Sequence, residues 1–365
     1  MKKVFLYAYD KQNLGDDLFI ETIVTRYPKI KFYLWSDKEN KKNFSCFSNL
    51  KIIDKDSWIV QLLNKIRPSL SVRYKVHYLK KATAHVYIGG SIFMEYPTWE
   101  NIVNWWKYQV EHYNFYVLGA NFGPYKTEQY KDGMAEVFSK MKDICFRDQY
   151  SHQLFQNIDT VRWAPDILFA YPHMPKPKKI KKQLFISPIQ CSDKNDSKLK
   201  KAEETYLAVW EDILKEYAKQ GYQFIFASFC KEEGDIDAIQ NICRRMDGWI
   251  SKDNYCILEY NGRNQEKILE AMAESEYILA SRFHAAILGM AAGRPVFPII
   301  YSDKTKYVLE DMNFQGNYAD IRGLEGVDFV YSKQNLDDQI IMDVEILKEK
   351  AEEHFRVLDQ QLKEN

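Results

Sequence analysis

The sequence predicts an α/β protein with two domains, each built on a parallel sheet and together facing a cleft. Three observations carry this prediction. The chain has 365 residues, more than one hydrophobic core commonly serves. Short apolar runs alternate with amphipathic helical patterns almost throughout. One Pro- and Lys-rich segment interrupts that alternation near the middle.

In the first half, strands are expected at Val4–Tyr9, Lys31–Trp35, Lys51–Ile53, His85–Ile88, Phe115–Leu118, Ile144–Arg147 and Val161–Trp163. Helical patterns lie between them at Asp17–Arg26, Asn101–His112, Glu128–Met141 and Tyr150–Gln156. A helix between consecutive strands implies parallel pairing, because the chain must cross back over the sheet. The interruption runs from Tyr171 to Lys182, with three prolines and five lysines in twelve residues. Proline stiffens the chain and removes backbone donors, as an inter-domain linker requires. Beyond it, strands are expected at Leu184–Pro188, Phe224–Phe229, Tyr255–Glu259, Tyr277–Ala280 and Pro295–Ile300. The matching helices are Lys201–Gln220, Ile236–Met246, Gln265–Ala273, His284–Ala292 and Lys304–Met312. The expected division is therefore a first domain over 1–172, a linker over 173–182 and a second domain over 183–336. A C-terminal helix over 337–365 is expected to pack back on the first domain.

Composition narrows the function. Formal net charge is zero, so no field of one sign would draw the chain to nucleic acid. The Lys-rich stretch between Lys176 and Lys201 reads as a solvated linker. No apolar stretch is long enough to span a bilayer, which leaves room only for peripheral membrane contact. The apolar run after Met1-Lys-Lys is too short for a secretion signal, so a cytoplasmic protein is expected. Six cysteines are scattered with no Cys-x-x-Cys pair, and no metal site is expected. Cys145, Cys230 and Cys256 fall in or beside strand candidates and are expected in the core.

Ligands of parallel α/β sheets bind outside the carboxyl ends of the strands. Asn13-Leu-Gly-Asp-Asp17 follows the first strand. Asn13, Gly15, Asp16 and Asp17 form either a ligand loop or a turn with an Asp cap. Gly89, Gly90 and Ser91 follow another strand, where backbone amides could approach a ligand, or where the strand simply turns. The loop Gly119-Ala-Asn-Phe-Gly-Pro124, with Asn121, follows the next. Arg147-Asp148 closes a further strand as a carboxylate or phosphate clamp, or as an Arg–Asp pair. The richest stretch starts at Ser281-Arg-Phe-His284 and continues through Pro295 to Tyr301 and Lys304. It places Arg282, His284 and Lys304 at adjacent strand ends, a better catalytic constellation than a lone histidine.

These motifs resemble the polysaccharide pyruvyl transferase family. The resemblance rests on Asn13-x-Gly-Asp-Asp17, Gly-Gly-Ser91, Gly119-x-x-x-Gly-Pro124, Arg147-Asp148, Pro165-Asp166 and the Arg282-x-His284…Pro295…Tyr301-x-x-Lys304 series. Gly89-Gly90-Ser91 departs from the three glycines that many members carry. The resemblance implies two Rossmann-like domains in a GT-B-like architecture, with the first domain taking the acceptor. It also implies transfer of pyruvate from phosphoenolpyruvate to a saccharide, or a lipid-linked saccharide, in bacterial cell-surface polysaccharide biosynthesis.

A ketal formed from phosphoenolpyruvate needs a general acid, cations for a carboxylate and a phosphate, and a sugar pocket, but no redox cofactor. His284 suits the acid, and Arg147, Arg282 and Lys304 suit the anion clamps. Asn13, Gly15, Asp16, Asp17, Gly89, Gly90, Ser91, Asn121, Ser281 and Tyr301 are the expected substrate-binding residues. Asp16, Asp17 or Asp166 could hold the proton on the histidine. Trp105 and Trp106 suit either a sugar platform or a helix core. Two rivals share the fold: a nucleotide-sugar glycosyltransferase and a non-catalytic saccharide-binding protein.

Overall fold

Val, Ile, Phe and Tyr dominate the short apolar runs, and side chains of that shape favour the pleated, buried surface of a strand. The computed structural model of the chain describes residues 2–191, 197–323 and 334–363. Positions 192–196 of the Lys-rich stretch lie outside the described residues. The chain divides into two compact units. The first comprises Met1–Asp10, Asp16–Tyr171 and Leu347–Asn365, and the second Lys11–Gly15 and Pro172–Ile346.

The first unit carries strands β1 (Lys3–Tyr7), β2 (Lys31–Ser36), β3 (Leu50–Asp54), β4 (Ala84–Ile88), β5 (Phe115–Ala120), β6 (Asp143–Phe146) and β7 (Val161–Trp163). They form one parallel sheet in the order β3-β2-β1-β4-β5-β6-β7. Its helices are α1 (Leu14–Arg26), α2 (Lys38–Asn43), α3 (Trp58–Ile66), α4 (Pro68–Lys81), α5 (Trp99–His112), α6 (Glu128–Lys140) and α7 (Gln149–Leu154). Side-chain caps start several of them. Thr127 Oγ1 accepts the Tyr130 N–H at 3.2 Å, and Asp148 Oδ1 accepts the Ser151 N–H at 2.7 Å. On one side of the sheet Phe93, Trp106, Phe115, Phe138 and Phe146 interlock. Elsewhere α4 lays Tyr78 and Leu79 on Phe5, Tyr33 and Ile53.

The second unit repeats the plan with β8 (Lys181–Ser187), β9 (Gln223–Ser228), β10 (Tyr255–Glu259), β11 (Ser275–Ala280), β12 (Val296–Ile300) and β13 (Ala319–Asp320). The order is β10-β9-β8-β11-β12-β13, again parallel throughout. Helices α8 (Ser197–Lys219), α9 (Asp235–Arg245), α10 (Gln265–Ala273), α11 (Phe283–Ala291) and α12 (Asp303–Asp311) connect them. Trp210, Tyr206 and Tyr217 of α8 anchor the core on β8 and β9. In both sheets the order reverses beside the first strand of the unit, between β1 and β4 and between β8 and β11. Such a reversal opens a crevice at the carboxyl ends of the strands.

Several expectations need correction. Helix α1 begins at Leu14 rather than Asp17, because Asn13 is its cap: Asn13 Oδ1 accepts the Gly15 N–H at 3.1 Å. Gly15, Asp16 and Asp17 are thus first-turn residues and not a loop. Helices α2, α3 and α4 and the two-residue β13 were not expected. The single helix expected over 337–365 is instead α13 (Gln334–Asp337), α14 (Glu345–Ala351), a 3₁₀ turn (Glu352–Phe355) and α15 (Arg356–Lys363). The buried Gln339 side chain interrupts it by bonding the Asn317 backbone at 2.6 and 2.7 Å. Within the first unit, which includes Leu347–Asn365, Arg26 Nη2 and Tyr27 Oη donate to Asp359 of α15 at 2.7 and 2.6 Å. Cys256 is exposed rather than in the core, because β10 is the edge strand of its sheet.

Candidate active site

Two clusters of predicted site residues form, one in each unit. In the second unit, β11 ends at Ala280 and α11 starts at Phe283, so Ser281 and Arg282 make the whole turn. The Ser281 and Arg282 N–H groups both donate to the Ser187 carbonyl, at 2.8 and 3.3 Å, which ties the turn to the end of β8. Ser281 Oγ lies 2.8 Å from the buried Tyr206 hydroxyl. The close packing of α11 comes from its small residues: a Cβ on Gly289 would stand 2.7 Å from Ile278 and 2.9 Å from Val296.

The Arg282 guanidinium turns toward the loop after β9. Nε donates to Asp235 at 2.8 Å, Nη2 also reaches Asp235, and Nη1 reaches Glu233. Asp235 additionally accepts the N–H groups of Phe229 and Cys230, at 2.8 and 2.9 Å. Burial alone would ease a proton off Arg282, but the two carboxylates outweigh it and raise its pKa, so it stays charged. Burial pushes the Asp235 carboxyl up, opposed by Arg282 and by the two backbone donors.

His284 is the second residue of α11 and is half-buried. Its imidazole lies against the Cα of Gly15, which belongs to the same unit. A side chain at Gly15 would overlap the ring, so only glycine admits this approach. The Leu14 N–H donates to the Phe229 carbonyl at 3.0 Å and holds this strip of chain beside β9. Next along the sheet, β12 ends at Ile300, followed by Tyr301 and the start of α12. Tyr301 is close enough to Arg282 to act on it electrostatically. Lys304 Nζ sits 5.9 Å from the ring of Phe283, the residue that precedes His284 in the chain. Asn13, Gly15, Ser281, Arg282, His284, Tyr301 and Lys304 thus share the carboxyl edge of the second sheet.

The first unit gathers the rest. Arg147 is 2% exposed, and its guanidinium lies on the Cα of Gly90, where a Cβ would come within 2.5 Å of Nη2. Nη1 donates to Asp166 Oδ2 at 3.1 Å and Nη2 to Asn121 Oδ1 at 2.7 Å. Ser91 Oγ donates to the same Asn121 oxygen at 3.2 Å, and the Asn121 N–H donates to the Gly90 carbonyl at 2.9 Å. Gly89 follows β4, with its N–H on the Leu118 carbonyl at 3.2 Å. Asp166 is fully buried, which pushes its carboxyl above its ordinary range while Arg147 draws it down. Asp148 caps α7; burial pushes its carboxyl up, while Arg147 acts on it electrostatically and draws it down. Asp16 and Asp17 occupy the first turn of α1, Asp17 buried. Trp106 is core, whereas Trp105 is 41% exposed.

Sequence reasoning missed the carboxylates Glu233 and Asp235 that hold Arg282. Their position just past a strand end was the available signal. It also missed Ser187 and Ser228, which end β8 and β9 as fully buried residues whose hydroxyls lack a hydrogen-bond partner among the described residues. Among the described residues, no group of three or more His, Cys, Asp or Glu side chains is placed to hold a metal ion.

A model of the polysaccharide pyruvyl transferase family matches residues 13–303. The chain belongs to this family. The match spans both clusters, from Asn13 to the start of α12. By family, this chain is a polysaccharide pyruvyl transferase homologue. It is 21% identical over 277 residues to the amylovoran biosynthesis protein AmsJ of Erwinia amylovora, covering 67% of this chain and 63% of that protein. The chain thus matches less than two thirds of that relative's length. Among solved structures, the Anabaena protein Alr3699/HepE in complex with UDP and glucose aligns with a TM-score of 0.53 at 11% identity, covering 100% of this chain and 98% of that one. The UDP-GlcNAc 2-epimerase of Neisseria meningitidis aligns with a TM-score of 0.55 at 12% identity, covering 100% of both chains. A glycosyltransferase of Rickettsia africae aligns with a TM-score of 0.51 at 9% identity over 98% of both. These likenesses establish the GT-B-like fold, two parallel-sheet α/β domains, for this family member.

Proposed function

We propose that the chain transfers pyruvate from phosphoenolpyruvate to a saccharide, forming a cyclic ketal and releasing phosphate in the cytoplasm. The observation that carries this reading is His284 seated on Gly15, with Lys304 Nζ 5.9 Å from the ring of the preceding Phe283 and Arg282 fixing the turn. The reaction begins with a proton delivered to the methylene carbon of the donor. The central carbon becomes oxocarbenium-like and bonds to one sugar hydroxyl, which loses its proton. A second hydroxyl then bonds to the same carbon as the C–O bond to phosphate breaks, and the phosphate leaves with the remaining proton.

His284 serves as the general acid. Lys304 pairs with an anionic group of the donor. Arg282, whose guanidinium is held by Asp235 and Glu233, acts as a positioning residue for the His284 turn. In the other unit, Arg147 and Asn121 hold the Gly89–Ser91 loop that would face the acceptor. Phosphoenolpyruvate is a substrate in this scheme, and no cofactor is part of it.

The test supplies the full chain with phosphoenolpyruvate and a panel of free and lipid-linked bacterial saccharides. Phosphate release coupled to a pyruvate ketal on the glycan, seen by mass spectrometry, is the expected result. No phosphate release across the panel, together with sugar transfer from a nucleotide-sugar donor, would overturn it.

A further inference from the structure

Helix α3 is an unusual surface helix. Six of its nine residues are apolar, yet only Val60 is buried. Trp58 is 72% exposed, Ile66 66% and Leu62 47%, and Ile59 lies on the same side of the helix. Positions 58, 59, 62 and 66 fall on one face at helical spacing, so the apolar side chains form a single stripe. The next helix, α4, follows after Arg67 alone and adds Val72, 60% exposed. Tyr78 and Leu79 of α4 are buried on the sheet, so the pair of helices has its inner face already satisfied. A contiguous exposed apolar patch on a folded domain marks a contact surface.

Past Asp54 and the exposed Asp56, which precede the helix, the charge along this stripe is one-sided. From Ser57 to Ala82 the chain carries Lys65, Arg67, Arg73, Lys75, Lys80 and Lys81 and no Asp or Glu, in a protein of zero net charge. Lys65, Arg67, Arg73 and Lys80 are exposed and have no ion pair among the described residues. Apolar residues led by a tryptophan, flanked by unneutralised cations, match the two layers of an anionic bilayer surface. A symmetric contact with a second copy would instead set cation against cation with no acidic partner. Helix α3 also starts directly after β3, at the carboxyl edge of the first sheet, where the Gly89–Ser91 loop lies.

We propose that the α3–α4 face docks the protein on membranes rich in anionic lipid. The stripe enters the interfacial layer while the cations meet the headgroups. Among the described residues no helix is long and apolar enough to cross a membrane, so the attachment is peripheral. This inference does not depend on the reaction proposed above, and its test needs no turnover.

The full chain is sedimented with vesicles of equal parts phosphatidylcholine and phosphatidylglycerol, and with vesicles of phosphatidylcholine alone. Binding to the mixed vesicles only, weakened by salt, is expected. Each of Lys65→Ala, Arg67→Ala and Arg73→Ala should weaken it about fivefold. Trp58→Ser combined with Leu62→Ser and Ile66→Ser should abolish it, with an unchanged circular dichroism spectrum because these side chains are outside the core. Lipids brominated in the acyl chain should quench the fluorescence of the wild type more than that of Trp58→Phe. Failure of the wild type to bind mixed vesicles, or binding that survives the triple substitution, would overturn the proposal. So would self-association, by analytical ultracentrifugation, that the triple substitution removes in a protein that ignores vesicles.

Discussion

Gly15→Ala sets two physical effects against each other. Gly15 is the second residue of α1, and alanine there is favoured over glycine by up to about 1 kcal/mol of helix propensity. Local reasoning therefore expects a slightly more stable protein. The tertiary contact predicts the loss of function. The added methyl would overlap Nδ1 and Cγ of His284 and stand 2.7 Å from its Cβ, where ordinary contact begins at 3.4 Å. The imidazole must shift by about 1 Å or adopt another rotamer, and misplacement on that scale costs on the order of 100-fold in rate. The assay is phosphate release from phosphoenolpyruvate with an accepted glycan, alongside thermal unfolding. We expect turnover at least 100-fold down, approaching that of His284→Ala, with the melting temperature no higher than that of the wild type, because the methyl crowding His284 Cβ offsets the gain in helix propensity. Wild-type turnover in Gly15→Ala would refute the placement of His284 at the reacting centre.

Lys304→Ala should raise KM for phosphoenolpyruvate roughly tenfold or more, since a charged hydrogen bond to the donor is lost; an unchanged KM would place the donor's anionic groups elsewhere. Arg147→Ala leaves Asp166 buried without its cation, which costs about 3–5 kcal/mol in denaturant unfolding. A loss below about 1 kcal/mol would mean that the Arg147–Asp166 pair does not hold this unit together. Stability should also fall with acid. Burial lowers the pKa of His354, whose Nε2 lies 2.8 Å from the Pro165 carbonyl, from 6.5 to about 3. The unfolded chain takes up that proton below pH 6.5 and the folded chain does not, so stability drops as pH falls toward 3. The slope is about 1.4 kcal/mol per pH unit for one such group. His354→Gln should flatten that part of the pH–stability curve, and a curve parallel to the wild type would remove His354 as the cause.

The sequence by itself determined the α/β class, the position of most strands and the strand ends at which the site residues stand. Those features are local: a run such as Phe115–Leu118 or Tyr255–Glu259 is apolar enough to be a strand in any setting, and a Pro- and Lys-rich break is visible without a fold. Sequence also carried the family, since Arg282, His284 and Lys304 lie within one short stretch of chain. It misread the start of α1, where Asn13 outcompetes Asp17 as the cap, and it passed over α3, whose apolar residues do not face a core. Tertiary structure alone decided which groups meet. The contact of Gly15 with His284 spans the two ends of the family match, and the hold of Asp235 and Glu233 on Arg282 joins two different strand ends. The seat of Arg147 on Gly90 likewise depends on which strands are neighbours in the sheet. No periodicity or propensity encodes such pairings, because they follow from sheet order and from the close approach that a missing Cβ permits.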